Sequence, residues 1–344
     1  MDDLLCYHGQ DFEDLLKRTK EERKLLIEGF MPEKSMIMGY ATDGLGKSTL
    51  CLEQALESSN GMKVFGALEV ERPINHIYIL AERDVSEPAE RALAMSRKLN
   101  FKYDNFAITD KLQGFNLQNE KHHKPALDII RRIADNKFKG RQIDVIDYDP
   151  IYALCGGKLK EDEDISTLRG FLLGVQREFG NSSFILHHEN RGTYDVKSKK
   201  RVGQDFYGNK FISAMCQGVF HITGKEDATG TIFTKQKDTY RCLLDEIPLT
   251  FDGEHLLSFM DESHSPDTKK ILAIKFINKC YDDNQKFDVN GLVKVMGNIN
   301  SAKKFILFYS SINPNGSTNP IPAKIKNCNP LGQKALYQVI EKIR

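Results

Sequence analysis

The sequence predicts an α/β chain: a mainly parallel, doubly wound sheet with helices on both faces, antiparallel hairpins at one edge, and a small, basic, mainly helical C-terminal part. Three observations predict it. Up to about residue 190, short apolar runs alternate with helical patterns, and parallel strands need such crossovers. After about residue 218 the helical patterns give way to closely spaced short runs, the signature of hairpins. A glycine-containing loop also joins the first strong strand to the first strong helix.

The elements follow in order. Residues 11–29 carry apolar side chains at Phe12, Leu15, Leu16, Leu25, Leu26 and Ile27, read as a helix and a short approach segment ending at Gly29. Met36-Ile37-Met38 is a strand, and Leu50-Cys51-Leu52-Glu53-Gln54-Ala55-Leu56 is at helical spacing. Ile77-Tyr78-Ile79-Leu80-Ala81 reads as a buried strand. A helix follows with Ala89, Leu93 and Met95 on one face and Pro88 in its first turn. Phe106-Ala107-Ile108 is a short strand, and 125–134 is a helix with Leu127, Ile130 and Ile133 inward. A strand over 143–149, an amphipathic helix over 165–179 and a strand over 183–188 complete the alternation. Hairpin strands are expected at 218–222, 230–235, 241–246 and 256–259. Beyond a linker at 263–267, which contains Pro266, helical patterns lie at 268–281, 288–296, 301–312 and 331–343. The expected units are an N-terminal helical segment (1–22), one α/β domain (23–262) and a small basic helical domain, possible as a winged helix (268–344).

The 344 residues, 40% hydrophobic and 28% charged, suffice for one sizeable α/β domain and a smaller one. The net charge is +1, unevenly spread. Residues 265–344 hold 13 Lys and Arg against 5 Asp and Glu, a balance of +8, which leaves −7 for residues 1–264. A basic segment on an acidic body suits a polyanion. The seven cysteines form no Cys-x-x-Cys pair, so neither zinc nor a disulfide framework is indicated. That usage fits a reducing cytosol, and a cytoplasmic location is expected. Met-Asp-Asp-Leu-Leu lacks the basic start and apolar core of a signal peptide, and no apolar run approaches membrane-spanning length.

The loop Ala41-Thr42-Asp43-Gly44-Leu45-Gly46-Lys47-Ser48-Thr49 reads as a phosphate-binding loop for ATP. Gly44 and Gly46 let backbone N–H groups face phosphate oxygens with no Cβ in the way. The helix beginning near Lys47 aims its positive end at the same anion. Lys47 would reach the β- and γ-phosphates, and the Ser48 hydroxyl would hold Mg²⁺. Ala41 stands where the usual pattern has glycine.

Such a loop needs an acidic residue at the end of a buried strand to complete the Mg²⁺ shell. Asp149, before Pro150, is preferred; Asp147 lies two residues earlier on the same face and is the alternative. Hydrolysis needs a group that positions or deprotonates water. Glu82 ends a parallel strand, where such sheets place their sites, and Asp84 is the alternative. His187 and His188 end the next strand facing opposite ways, so one of them would report on the γ-phosphate. The polar stretch 192–208 carries Lys197, Lys199, Lys200 and Arg201.

Several motifs together carry a resemblance. Leu26-Ile27-Glu28-Gly29-Phe30-Met31-Pro32-Glu33-Lys34-Ser35 leads into the phosphate loop. Then come Ile79-Leu80-Ala81-Glu82-Arg83, Asp149-Pro150-Ile151-Tyr152-Ala153-Leu154 with Gly156-Gly157, and His187-His188-Glu189-Asn190-Arg191-Gly192. Over about residues 20–260 the chain resembles the RecA-like ATPases of the plasmid-replication helicase type, the hexameric RepA-like group. The resemblance implies a RecA-type core, subunits in a ring, as in a hexamer, or a filament, and nucleotide bound between neighbours. It implies Lys47 and Ser48 in phosphate and Mg²⁺ binding, Glu82 as the catalytic glutamate, Asp149 in the metal shell and His188 at the sensor position. Thr234-Lys235-Gln236-Lys237 resembles the strand from which family members send Lys-x-Arg into the neighbour's site. Here the second cation is Lys237, which cannot make the planar two-pronged contact of arginine. The stretch 192–208 falls where the family has a DNA-facing loop, and its basic residues would track single-stranded DNA.

The first functional reading is therefore an ATP-dependent DNA helicase or translocase in replication of a plasmid, phage or mobile element. The second is a DNA-binding ATPase acting as a recombination mediator or loader without unwinding. The third is a nucleotide-gated regulator of a protein partner.

Overall fold

The computed structural model describes residues 24–156, 162–190, 211–225 and 228–260, short strands within 193–206, and beyond 260 isolated positions and three short strands. A small antiparallel pair, β1 (Leu25–Ile27) and β2 (Met31–Pro32), precedes the main sheet. The main sheet runs in the order β14-β13-β12-β11-β3-β7-β6-β4-β5, with β10 (Asp205–Phe206) paired to β7. Its parallel part comprises β3 (Met36–Ala41), β4 (His76–Leu80), β5 (Phe106–Thr109), β6 (Val145–Asp149), β7 (Ser182–Asn190) and β11 (Gly218–Gly224). β12 (Gly230–Asp238), β13 (Glu246–Asp252) and β14 (Leu257–Met260) add antiparallel strands at one edge, as the sequence predicts.

Strand side chains alternate between two cores, which is why the sheet carries helices on both faces. On β3, Ile37 and Ala41 enter one core while Met36, Met38 and Tyr40 enter the other. The first core packs under α1 (Lys47–Ser59) and α2 (Ser86–Leu99) and contains Phe30, Phe65, Phe220 and Phe233. The second packs under α3 (Glu120–Phe138) and α4 (Asp162–Phe179). Asn119 caps α3 by accepting from Lys121 N at 3.1 Å.

Helix α1 is buried almost all round, including Glu53, Gln54, Glu57 and Ser58. Each of these polar side chains has a partner, as burial demands. Glu53 accepts from Ser258 N and Glu57 from Phe65 N, Gln54 donates to Asp147, and Ser58 meets His76. These bonds tie α1 to β14, to the segment at Phe65, and to β4 and β6.

Several sequence expectations are corrected. Met95 is buried on α2 as expected, but its companions are Pro88 and Ala92, each one position before the expected Ala89 and Leu93, and Leu93 is 59% exposed. The strand expected at 241–246 begins only at Glu246, because Arg241 has φ 54° and the preceding turn drives Leu244 against Gly29. Leu244 N donates to Gly29 O at 2.8 Å, and a Cβ on Gly29 would lie 2.6 Å from Leu244 Cγ. Beyond 260, positions 273, 276, 277, 279 and 280 are helical, as expected, with Ala273, Ile277 and Cys280 buried. Within the helix expected at 331–343, however, Leu336–Val339 is strand β17, flanked by β15 (Lys286–Asp288) and β16 (Ile325–Asn327). The period-two sequence Leu-Tyr-Gln-Val suits that central place. The expected N-terminal helix and the linker lie outside the described residues.

Candidate functional site

The phosphate loop links β3 to α1 at the C-terminal edge of the sheet. Gly44 and Gly46 have φ 85° and 77°, values open to glycine, and no side chain caps the N-terminus of α1. Its first N–H groups could thus serve an anion in the loop. The Lys47 ammonium, nearly buried, donates to Ala41 O (3.1 Å), Thr42 O (2.9 Å) and Asp43 Oδ1 (3.4 Å). Leu45 and Thr49 are half-buried loop and first-turn residues.

Ser48 Oγ donates to Asp149 Oδ1 at 3.0 Å, and Tyr78 OH donates to Asp149 Oδ2 at 2.6 Å. Asp149 is the last residue of β6. Burial pushes its carboxyl above the usual range, against the opposing hydrogen bonds from Tyr78 and Ser48. Burial and the Asp149 charge push the Tyr78 hydroxyl well up. Asp147 shares the face but not the place. It accepts from His76 Nδ1 (2.8 Å) and Gln54 Nε2 (2.9 Å), and His76 Nε2 lies 2.8 Å from Ser58 Oγ. This wholly buried chain explains an aspartate in the middle of a strand.

Glu82 lies two residues beyond β4, and His188 lies within β7, two residues before its end. His188 Nδ1 lies 2.9 Å from Asp43 Oδ1, and its Nε2 lies 3.9 Å from Glu82 Oε1. Against the cost of partial burial, His188 and Lys47 hold the Asp43 carboxyl below the usual carboxylate range. Asp84, the alternative to Glu82, instead accepts from Ser86 N at 2.8 Å at the start of α2. His187 is buried and accepts from His188 N.

Lys235 and Lys237 are elsewhere. Through the register Lys237↔Val219 and Val219↔Met38, β12 carries them towards the N-terminal end of β3, away from the phosphate loop. Lys235 pairs with Asp245 at 2.5 Å. Lys237 donates to Ser213 O (2.8 Å) and Ala214 O (3.1 Å) in α5 (Phe211–Met215). Of the basic loop, Lys200 and Arg201 fall on β9 (Lys200–Val202), which pairs with β8 (Thr193–Asp195); Lys197 and Lys199 lie outside the described residues.

Sequence reasoning missed Tyr78, Gln54 and His76. The signal was there in part: a tyrosine and a histidine interrupt an otherwise aliphatic strand. Among the described residues no helix is long and apolar enough to cross a membrane.

The chain matches the family model described as "AAA domain" over residues 3–193, more than half its length. It is similar to a solved structure described as an ATPase domain, with TM-score 0.54 and 14% identity over 74% of this chain and 100% of that one. It also matches a KaiC-like protein from the hyperthermophilic archaeon Pyrococcus horikoshii OT3, with TM-score 0.43 and 16% identity over 70% and 99%. No curated protein matches. The first likeness shows the fold, a mainly parallel RecA-like sheet with a phosphate loop at its edge. By the family match and the site it frames, the chain belongs to the AAA domain family and is a P-loop ATPase of RecA-like fold.

Proposed function

We propose that this ATPase is a DNA-dependent motor, a helicase or translocase of the RepA-like type, that serves replication of a plasmid, phage or mobile element. The observation that carries it is the continuity of β7. The strand that reaches the phosphate loop with His188 runs on to pair with β10 and leads directly into the β8–β9 hairpin with its basic residues. One element thus joins the nucleotide site to the segment that would meet a polyanion.

The residues present fit nucleotide and Mg²⁺. A glycine cradle, an uncapped helix start and Lys47 suit phosphates. Ser48 Oγ and Asp149 converge as a hydroxyl–carboxylate pair, and Asp149 is a buried acid that a cation would keep ionised. Mg²⁺, when bound, would neutralise developing phosphate charge. Tyr78 orients Asp149 through its second oxygen. Glu82 would position water and take its proton, and His188 would hydrogen-bond the terminal phosphate. Lys235 and Lys237 lie level with Gly39 and Met38 in mid-β3, about 7 and 10 Å along the strand before the loop begins at Ala41, and this displacement from their own loop supports action on a neighbouring subunit in a ring or filament.

The test is ATP hydrolysis with and without single-stranded DNA, paired with fluorescence anisotropy of a labelled oligonucleotide across a salt series. Hydrolysis should rise with DNA, and affinity should fall with a log–log slope of about 0.7 per neutralised phosphate. Strand displacement then separates a helicase from a mediator or loader. Absence of DNA binding with an ATP analogue present overturns the motor and favours the protein regulator.

A further inference from the structure

Lys47 and His188 share one partner. An ammonium has three N–H bonds, and those of Lys47 are taken by Ala41 O, Thr42 O and Asp43 Oδ1. His188 Nδ1 is taken by the same Asp43 Oδ1. A phosphate entering the loop must therefore displace an acceptor. The two carbonyls belong to the loop backbone, whereas Asp43 is a side chain, 62% exposed, at the longest of the three distances. It can give up the longer contact to Lys47 at 3.4 Å while keeping His188 at 2.9 Å, or give up both.

We infer that Asp43 is a stand-in for the terminal phosphate, and that it sets the relative affinity for nucleoside triphosphate and diphosphate. This rests on the nucleotide site proposed above. A diphosphate reaches Lys47 but leaves His188 with Asp43. A triphosphate takes both groups and must sit beside the displaced carboxylate, a like charge close enough to repel it. Asp43 thus weakens triphosphate binding more than diphosphate binding. When the terminal phosphate leaves, Asp43 reclaims His188. Its position within the loop, three residues before Gly46 and four before Lys47, lets it swing without moving either strand.

The experiment is calorimetric titration of the full chain with ADP and with a non-hydrolysable ATP analogue, both with Mg²⁺. Asp43→Asn removes the charge at nearly constant shape. It should tighten the triphosphate analogue about tenfold, equivalent to about 1.4 kcal/mol, and ADP less than about threefold. Asp43→Glu keeps the charge and should keep the wild-type ratio. In a His188→Gln background the gain from Asp43→Asn should shrink, because the two side chains are coupled. An Asp43→Asn protein whose two affinities change equally, or not at all, overturns the role of Asp43 while leaving the nucleotide site intact. Wild-type protein that binds neither nucleotide overturns the nucleotide site itself and this inference with it.

Discussion

Ser48 and Asp149 stand 3.0 Å apart across the interface of α1 and β6, and Tyr78 holds the other oxygen of the same carboxylate. The pair joins the first turn of the phosphate-loop helix to the end of the strand beside β4. Asp149→Asn should slow ATP hydrolysis by about a hundredfold, the scale of losing one preorganised electrostatic group. Tyr78→Phe leaves the charge but frees its orientation, and should raise the Mg²⁺ needed for half-maximal rate about tenfold. Steady-state rates across a Mg²⁺ titration decide it; a Tyr78→Phe curve lying on the wild-type curve removes Tyr78 from the site.

Lys47→Ala and Glu82→Gln should separate binding from chemistry. The first removes the ammonium proposed to bind the phosphates and should weaken nucleotide binding. The second keeps the shape of the side chain and should leave binding largely intact while slowing turnover by at least about a hundredfold. Fluorescent-nucleotide titration beside phosphate release checks both. Unchanged turnover in Glu82→Gln would mean another group handles the water.

The chain Ser58–His76–Asp147–Gln54 lies wholly inside the protein. His76→Ala removes one hydrogen-bond partner of the buried Asp147 side chain, leaving Gln54, and should cost about 2 kcal/mol of stability. Thermal melts should show a fall of several degrees, and a melting curve matching wild type would place the network among the dispensable contacts.

Glu53 ties α1 to β14 with its carboxyl buried, and burial pushes it up to about 8 from 4.5. Between those values the unfolded chain gives up this proton while the folded chain keeps it, so folding loses stability as pH rises through the window, and the loss is complete above about 8. Glu53→Gln removes the titration and should flatten denaturant stability between about pH 5 and 8 relative to wild type. Parallel slopes for the two proteins would show that Glu53 does not titrate there.

If Lys237 serves a neighbour, mixing Lys47→Ala with Lys237→Ala protein should partly restore ATP hydrolysis, since some interfaces then hold one intact half from each. Lys237 also caps α5, so a melt of Lys237→Ala alone distinguishes local loosening from a missing group. Mixtures no more active than the average of the two parents would confine each site to one chain.

Much of this protein is legible along the chain because its signals are local. The order of glycines, lysine and serine in the phosphate loop, the apolar runs of β3, β4, β6 and β7, and the change to hairpins after α5 each depend on neighbours a few residues apart. Those signals also placed Asp149, Glu82 and His188 at or near strand ends. What tertiary structure alone decided is which side chains meet. The partners of Asp149 come from 101 and 71 residues away, and Asp43 meets His188 across 145. Asp147 and Asp149 are equivalent to a periodicity argument, since both point to the α1 face. They differ because Gln54 and His76 reach one and Ser48 and Tyr78 reach the other. The exposure of Leu93 and the turn at Arg241 escaped for the same reason. A helix stripe offset by one residue, or a strand start delayed by a leucine packed on Gly29, is set by the surface opposite, and no local pattern carries that surface.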